Sequence, residues 1–324
     1  MNNEYSIYRN ISDNIYTKEE KEKYWSVAIG LQAVDGLATS SYLHELSREE
    51  IEGHISLEEI EKNIYRKYEA ETESDRKKRM KEADLVANRI NAILRNEAFD
   101  FTPVQMKAIH KELFRDIYES AGEYRSYNFK KSEPVLFGNS VIYGDYKNIS
   151  ETLSYYFMEE RFKKYEGMTA EEKILSITHF SSSIWQVHGF CEGNTRTVAV
   201  FIEKYLNTKG YSLNNDMFAH HAKYFRNALV RSCYDNERMG VYHTDEYLIK
   251  FFENLLLEKK HSLKNIELVL NVNRICERYP YEMKVEEIKQ GKNLALWIND
   301  SDPRIKTLMK KTGYSKQKNG NMYP

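Results

Sequence analysis

Apolar residues recur at helical spacing through most of the chain. Trp25, Ile29 and Ala33 lie four residues apart and their run stops at Gly36, which predicts a helix over Tyr24 to Val34. A short second helix follows Ser40, with Tyr42, Leu43 and Leu46 on one side. Ser56-Leu-Glu-Glu59 opens a third as a capping box: hydroxyl and carboxylate each satisfy a free backbone N–H, and Ile60, Ile64, Tyr65 and Tyr68 form the apolar face. Ala83 to Asn96 carries Val86, Ile90 and Ile93 on one side. Thr102-Pro-Val-Gln105 starts the next helix, with Met106, Ile109, Leu113 and Ile117 as its stripe and Gly122 placed to end it. Helix resumes near Ser150. Thr169-Ala-Glu-Glu172 caps a further one, and Thr195 to Asn207, Phe218 to Ser232 and the stretch from Tyr247 to Leu256 continue the series.

The period changes between Tyr124 and Tyr146. Two apolar, β-favouring runs around Gly138-Asn139-Ser140 predict a short hairpin over Pro134 to Tyr143. The fold class expected is therefore all-α, with one hairpin. Residues 1–70 read as an N-terminal helical module and 71–83, which contain Arg76-Lys-Lys-Arg79, as a charged connector or solvated helix face. Residues 84–260 read as the main domain, and 261–324 as a C-terminal extension with a blurred pattern.

Composition narrows the function classes. The chain has 324 residues, 48 Lys+Arg against 49 Asp+Glu and a net charge of −1, which argues against a dedicated nucleic-acid binder. Three scattered cysteines form neither a disulfide framework nor a metal knuckle, so a reducing cytoplasm is expected. Residues 174–191 carry no formal charge, yet their serines, histidines and Gln186 are too polar for hydrocarbon; no membrane segment is expected.

The candidate chemistry lies in His188-Gly-Phe-Cys-Glu-Gly-Asn-Thr-Arg196, between two helices. Gly193 and Asn194 tolerate positive φ, so their turn can aim successive N–H groups into an anion nest, and Thr195 opens the next helix with unpaired donors facing the same way. Arg196 in the first helical turn opposes the helix dipole and is better explained by an anion that it clamps. Glu192 beside the nest suits a hard cation such as Mg²⁺, and His188 offers a base with a pKa near neutrality.

This segment resembles the signature of Fic proteins, His-x-Phe-x-(Asp/Glu)-Gly-Asn-(Gly/Thr)-Arg. Ile109 to Tyr118 and Ala121-Gly-Glu-Tyr-Arg125 resemble the helix and turn before that family's target-docking flap, so that about residues 84–258 are covered. The resemblance implies a helical bundle and transfer of AMP from ATP to a Tyr, Ser or Thr hydroxyl of a target protein, and of this chain itself. His188 would be the base, Glu192 the Mg²⁺ ligand, and Gly193, Asn194, Thr195 and Arg196 the phosphate site. Val135, Leu136, Val141 and Ile142 would form the flap that pairs with the target. Tyr224 and Phe225 would line the base pocket, and Arg231 would replace a second signature arginine whose position holds Ala199. Transfer of another nucleotide such as UMP, removal of AMP, and nucleotide binding without catalysis stay open, given Ala199 and Cys233. Self-association also stays open.

Leu31-Gln-Ala-Val-Asp-Gly-Leu37 is similar to the inhibitory helix of the antitoxin modules that accompany Fic toxins. The resemblance places Leu31 at the hydroxyl position and Asp35-Gly36 at the acid and cap; Arg48, Glu52 and Gly53 form a competing frame. With Ala199 opposite, Asp35 is expected to lack an arginine partner and to inhibit only partially.

Overall fold

The computed structural model describes residues 7–8, 15–69, 74–211, 213, 216–270, 315–316 and 322–323. The fold is all-α. Helix α1 (Lys18–Gly30) opens on a Thr17 capping box and runs into a 3-10 turn, Leu31–Asp35, that Gly36 closes in the left-handed conformation. Then come α2 (Ser41–Ile51), capped by Ser40, and α3 (Leu57–Glu69), where Ser56 and Glu59 form the expected box. Helix α4 (Asp75–Arg95) begins at a Ser74 cap, so the charged run around Arg76 forms its first turns, and residue 84 lies mid-helix with no break in the chain.

Helix α5 (Pro103–Phe114) is capped by Thr102 as expected but stops well before Gly122, because the chain turns twice between Phe114 and Ala121. Helices α6 (Ile149–Phe162), α7 (Ala170–Val187), α8 (Asn194–Thr208), α9 (Asp216–Ser232) and α10 (Glu246–Leu257) complete the bundle. Helix α8 is buried on all sides from Asn194 to Leu206, between α4, α5, α7 and the 31–35 turn. No helix among the described residues is long and apolar enough to cross a membrane.

The expected hairpin is not a strand pair. Residues Pro134–Leu136 form a 3-10 turn, and Phe137 is left-handed at φ 53°, which ends any strand. Glu133 N–H donates to Asn139 O at 2.9 Å, and Gly138 N–H donates to Glu133 O at 3.0 Å. Val135, Leu136 and Val141 are buried and only Ile142 is exposed, at 81%. The two apolar runs reflect burial of a tight loop against the core, a pattern that short buried runs share with strands. Leu270 N–H donates to the Val135 carbonyl at 3.0 Å, so the start of the C-terminal extension packs on this loop. Among the described residues, strand pairing is confined to β1 (Ser315–Lys316) with β2 (Met322–Tyr323) and to one Asn236–Val241 bridge.

The N-terminal helices are built into the domain. Helix α1 packs between α4 and α9, where a Cβ on Gly30 would overlap the backbone of Ala219, so the crossing needs glycine. Two buried ion networks fasten this module. Arg95 makes a two-pronged contact with Glu50 at 2.7 and 3.0 Å, and Glu50 also accepts from Trp25 Nε1 at 2.9 Å. Arg89 and Arg115 both reach Glu61, at 2.7 and 2.8 Å.

Candidate active site

The loop between α7 and α8 is held by its own backbone groups. His188 terminates α7 in the left-handed conformation, at φ 50°. The Arg125 guanidinium donates to His188 O at 2.7 Å and to Val187 O at 3.3 Å, and also reaches the carbonyls of Gly144 and Tyr127. The Asn194 side chain closes a two-way bridge to Phe190, donating to its carbonyl at 2.7 Å and accepting from its N–H at 3.0 Å. Asn194 therefore shapes the loop, and its side-chain donors do not face an anion. Thr195 Oγ1 accepts from Trp185 Nε1 at 3.0 Å. Gly193, at φ 74°, starts α8, and a Cβ there would overlap the ring of Phe114. The first-turn N–H groups of α8 have no intrahelical acceptor, the property that suits a helix N-terminus to an anion.

His110 also positions this loop. Its Nδ1 accepts from Gly122 N–H at 2.8 Å, so Nε2 carries the proton and donates to the Glu192 carbonyl at 3.0 Å. The ring stacks on Phe190 at 3.8 Å. Burial pushes its pKa down to about 4, so this neutral tautomer holds through ordinary pH.

His188 is almost wholly buried, and neither ring nitrogen has a hydrogen-bond partner. Tyr143 stacks on it at 4.0 Å, with Trp185 and Phe129 edge-on at 5.4 and 5.7 Å. Burial, and then the positive charges of Lys131, Arg226 and Arg125, hold its pKa well below the usual imidazole range. The ring is thus neutral and able to accept a proton. Glu192 points to solvent, 58% exposed, with Lys131 Nζ on Oε2 at 2.9 Å.

Arg196 corrects the sequence expectation for Asp35. Its Nε lies 2.7 Å from Asp35 Oδ2, off the N–H axis but within ion-pair range, and its Nη2 donates to Glu82 Oε1 at 2.6 Å. Nη1 donates to Gln32 Oε1 at 3.2 Å, and the guanidinium lies over Phe114, 4.8 Å from the ring centre. Burial alone would lower its pKa; Asp35 first, then Tyr118 and Glu82, raise it instead. The acid of the 31–35 turn thus has a partner, the signature arginine itself. Leu31 is fully buried in the core, and Gly36 closes the turn.

Helix α9 corrects a second expectation. Arg226 faces the loop, with Nη1 and Nη2 on Glu133 at 2.6 and 3.0 Å. Arg231 lies five residues on, roughly 140° around the helix, beside Tyr234 and Tyr247, with Nε and Nη1 buried and without partners. Phe225 is committed to an aromatic cluster with Phe218 and Phe251, and Tyr224 is buried with its hydroxyl unpartnered. Glu82, Gln32, Lys131, Glu133 and Arg226 carried no motif, and His110 stood without a role inside the Ile109–Tyr118 stretch. Glu82, His110 and Arg226 showed only charge or polarity on a helix, and Lys131 and Glu133 lie in the loop before Pro134.

Residues 100–206, from just before α5 into the last turns of α8, match the sequence model of the Fic/DOC family. The chain is similar to the protein adenylyltransferase VbhT of Bartonella schoenbuchensis, 24% identical over 200 residues, which are 61% of this chain and 40% of that protein. It is also similar to the probable protein adenylyltransferase y4lH of Sinorhizobium fredii, 29% identical over 128 residues, 39% of this chain and 62% of the relative. The aligned stretches thus span under two thirds of either relative. These similarities and the all-α fold support a Fic domain carrying the His188–Arg196 loop.

Proposed function

We propose that this chain transfers AMP from ATP to a hydroxyl of a protein target. The observation that carries the reading is a neutral, buried imidazole, His188, six residues before a helix N-terminus that holds a guanidinium in its first turn. In the proposed reaction His188 takes the hydroxyl proton as the target oxygen bonds to the α-phosphorus. The bond to the bridging oxygen breaks, and its electron pair leaves on pyrophosphate. The first-turn N–H groups of α8 and Arg196 stabilise the phosphate charge, the main source of catalysis in such transfers.

Glu192 fits a substrate-borne Mg²⁺. It is exposed, and among the described residues no cluster of three His, Cys, Asp or Glu would form a closed protein cage. One carboxylate beside phosphates and water is the usual Mg²⁺ arrangement, and the ion would offset the phosphate charge there. Lys131 has to leave Glu192 for that to happen. Tyr224 remains the proposed contact for the base. The target-docking role of the loop around Val135, Leu136, Val141 and Ile142 falls on Ile142, the one of the four that is exposed. Incubation with ATP and Mg²⁺ is expected to add AMP, read by intact mass, to this chain or to a lysate protein. A UMP adduct alone from a nucleotide panel, or no adduct at all, would remove the reading.

The 31–35 turn is proposed to be inhibitory. Arg196 cannot grip phosphate while Asp35 and Glu82 hold it, so Asp35→Ala is expected to raise the initial rate of transfer by about tenfold to a hundredfold, the value of a partly buried charged contact. An unchanged rate would show that the Asp35–Arg196 pair is structural only.

A further inference from the structure

A bound triphosphate places several negative charges at the N-terminus of α8, and that helix supplies one guanidinium. One turn after Thr195, where a second cation would point the same way, the chain has the buried Ala199. A second guanidinium approaches from α9 instead. Arg226 spreads both terminal nitrogens over Glu133, whose side chain is fully buried. Glu133 Oε1 lies 3.4 Å from the Tyr143 hydroxyl, and the Tyr143 ring stacks on His188. One carboxylate and one ring therefore separate Arg226 from the base. A fork that fits a carboxylate also fits a phosphate oxygen pair, so Glu133 occupies the geometry that a phosphate group would take.

We propose that Arg226 is the second guanidinium gripping the polyphosphate of the nucleotide, and that Glu133 holds its place when no nucleotide is bound. The inference rests on the adenylyl-transfer reading for the identity of the nucleotide. Electrostatics agree with that placement: the Arg226 charge helps to lower the pKa of His188, and Arg226 also feels the Asp35 carboxylate that pairs with Arg196. Arg231, five residues on and roughly 140° around α9, makes no contact with Glu133 and has Nε and Nη1 buried without partners.

The test is calorimetric titration of the full chain with ATP and with AMP, each with Mg²⁺. Arg226→Gln is expected to weaken ATP about tenfold to a hundredfold and AMP less than about threefold, because only the β- and γ-phosphates lose a partner. Equal loss for both nucleotides, unchanged ATP affinity, or no ATP binding by the wild-type chain would overturn the assignment. So would a loss of ATP affinity on Arg231→Gln in place of Arg226→Gln. Because Arg226→Gln strands the buried Glu133, Glu133→Gln gives a second reading: with the competing anion gone, ATP is expected to bind several-fold more tightly, and weaker binding would count against the proposal. ATP binding that depends on Arg226 without any AMP adduct would remove the transferase reading and leave this assignment standing. An AMP adduct formed at the wild-type rate and KM by Arg226→Gln would do the reverse.

Discussion

His188→Ala is expected to lower AMP transfer by about a hundredfold to ten-thousandfold, the usual contribution of a positioned general base. ATP affinity should change little, because the phosphate contacts proposed above fall to α8, Arg196 and Arg226 rather than to the imidazole. The loss should therefore fall on kcat and leave the calorimetric affinity in place. The wild-type pH profile supplies a second check. Burial and the surrounding cations hold the His188 pKa below the ordinary value of about 6.5, so the base stays deprotonated as pH falls through that value. The acid limb of kcat/KM is then expected below pH 6.5. Full activity in His188→Ala would remove the imidazole from the mechanism.

Glu50→Gln is expected to cost about 3–5 kcal/mol of stability, because it leaves the Arg95 guanidinium buried without its counter-charge. For a chain of this size that is a fall in Tm of roughly 4–7 °C. Burial alone would raise the Glu50 carboxyl, but the hydrogen bonds and charge of Arg95, with Trp25 and Lys21, hold it below its ordinary pKa. Its contribution is thus complete above the unfolded value of about 4.3 and fades as pH falls through the lower folded value. The Tm gap between wild type and variant should narrow at the acid end of the range. A loss below about 1 kcal/mol would show that this contact does not fasten the N-terminal helices. The same variant is expected to loosen the turn carrying Asp35, which hangs between α1 and α2.

Local rules carried the sequence far in this protein. Ser40, Ser56, Thr102 and Thr169 each cap a helix as their spacing predicts, because capping depends on atoms within four residues. The His188–Arg196 loop was legible for the same reason: its glycine, its first-turn arginine and its helix junction are adjacent in the chain. The hairpin failed where a local pattern had two solutions. Val135-Leu-Phe137 and Val141-Ile-Tyr143 are β-favouring apolar runs, but a short apolar run says only that it is buried, and Phe137 and Gly138 settle into a turn.

What only the tertiary structure decided concerns charges that meet across long separations. Asp35 finds Arg196 because the 31–35 turn packs on α8, and Arg226, not Arg231, reaches Glu133 in the loop beside His188 because α9 docks against α1 on one particular face. A helix sequence states its own period but not the rotation at which it will be packed; that rotation follows from close approaches such as Gly30 on Ala219 and from which side chains fill the core around them.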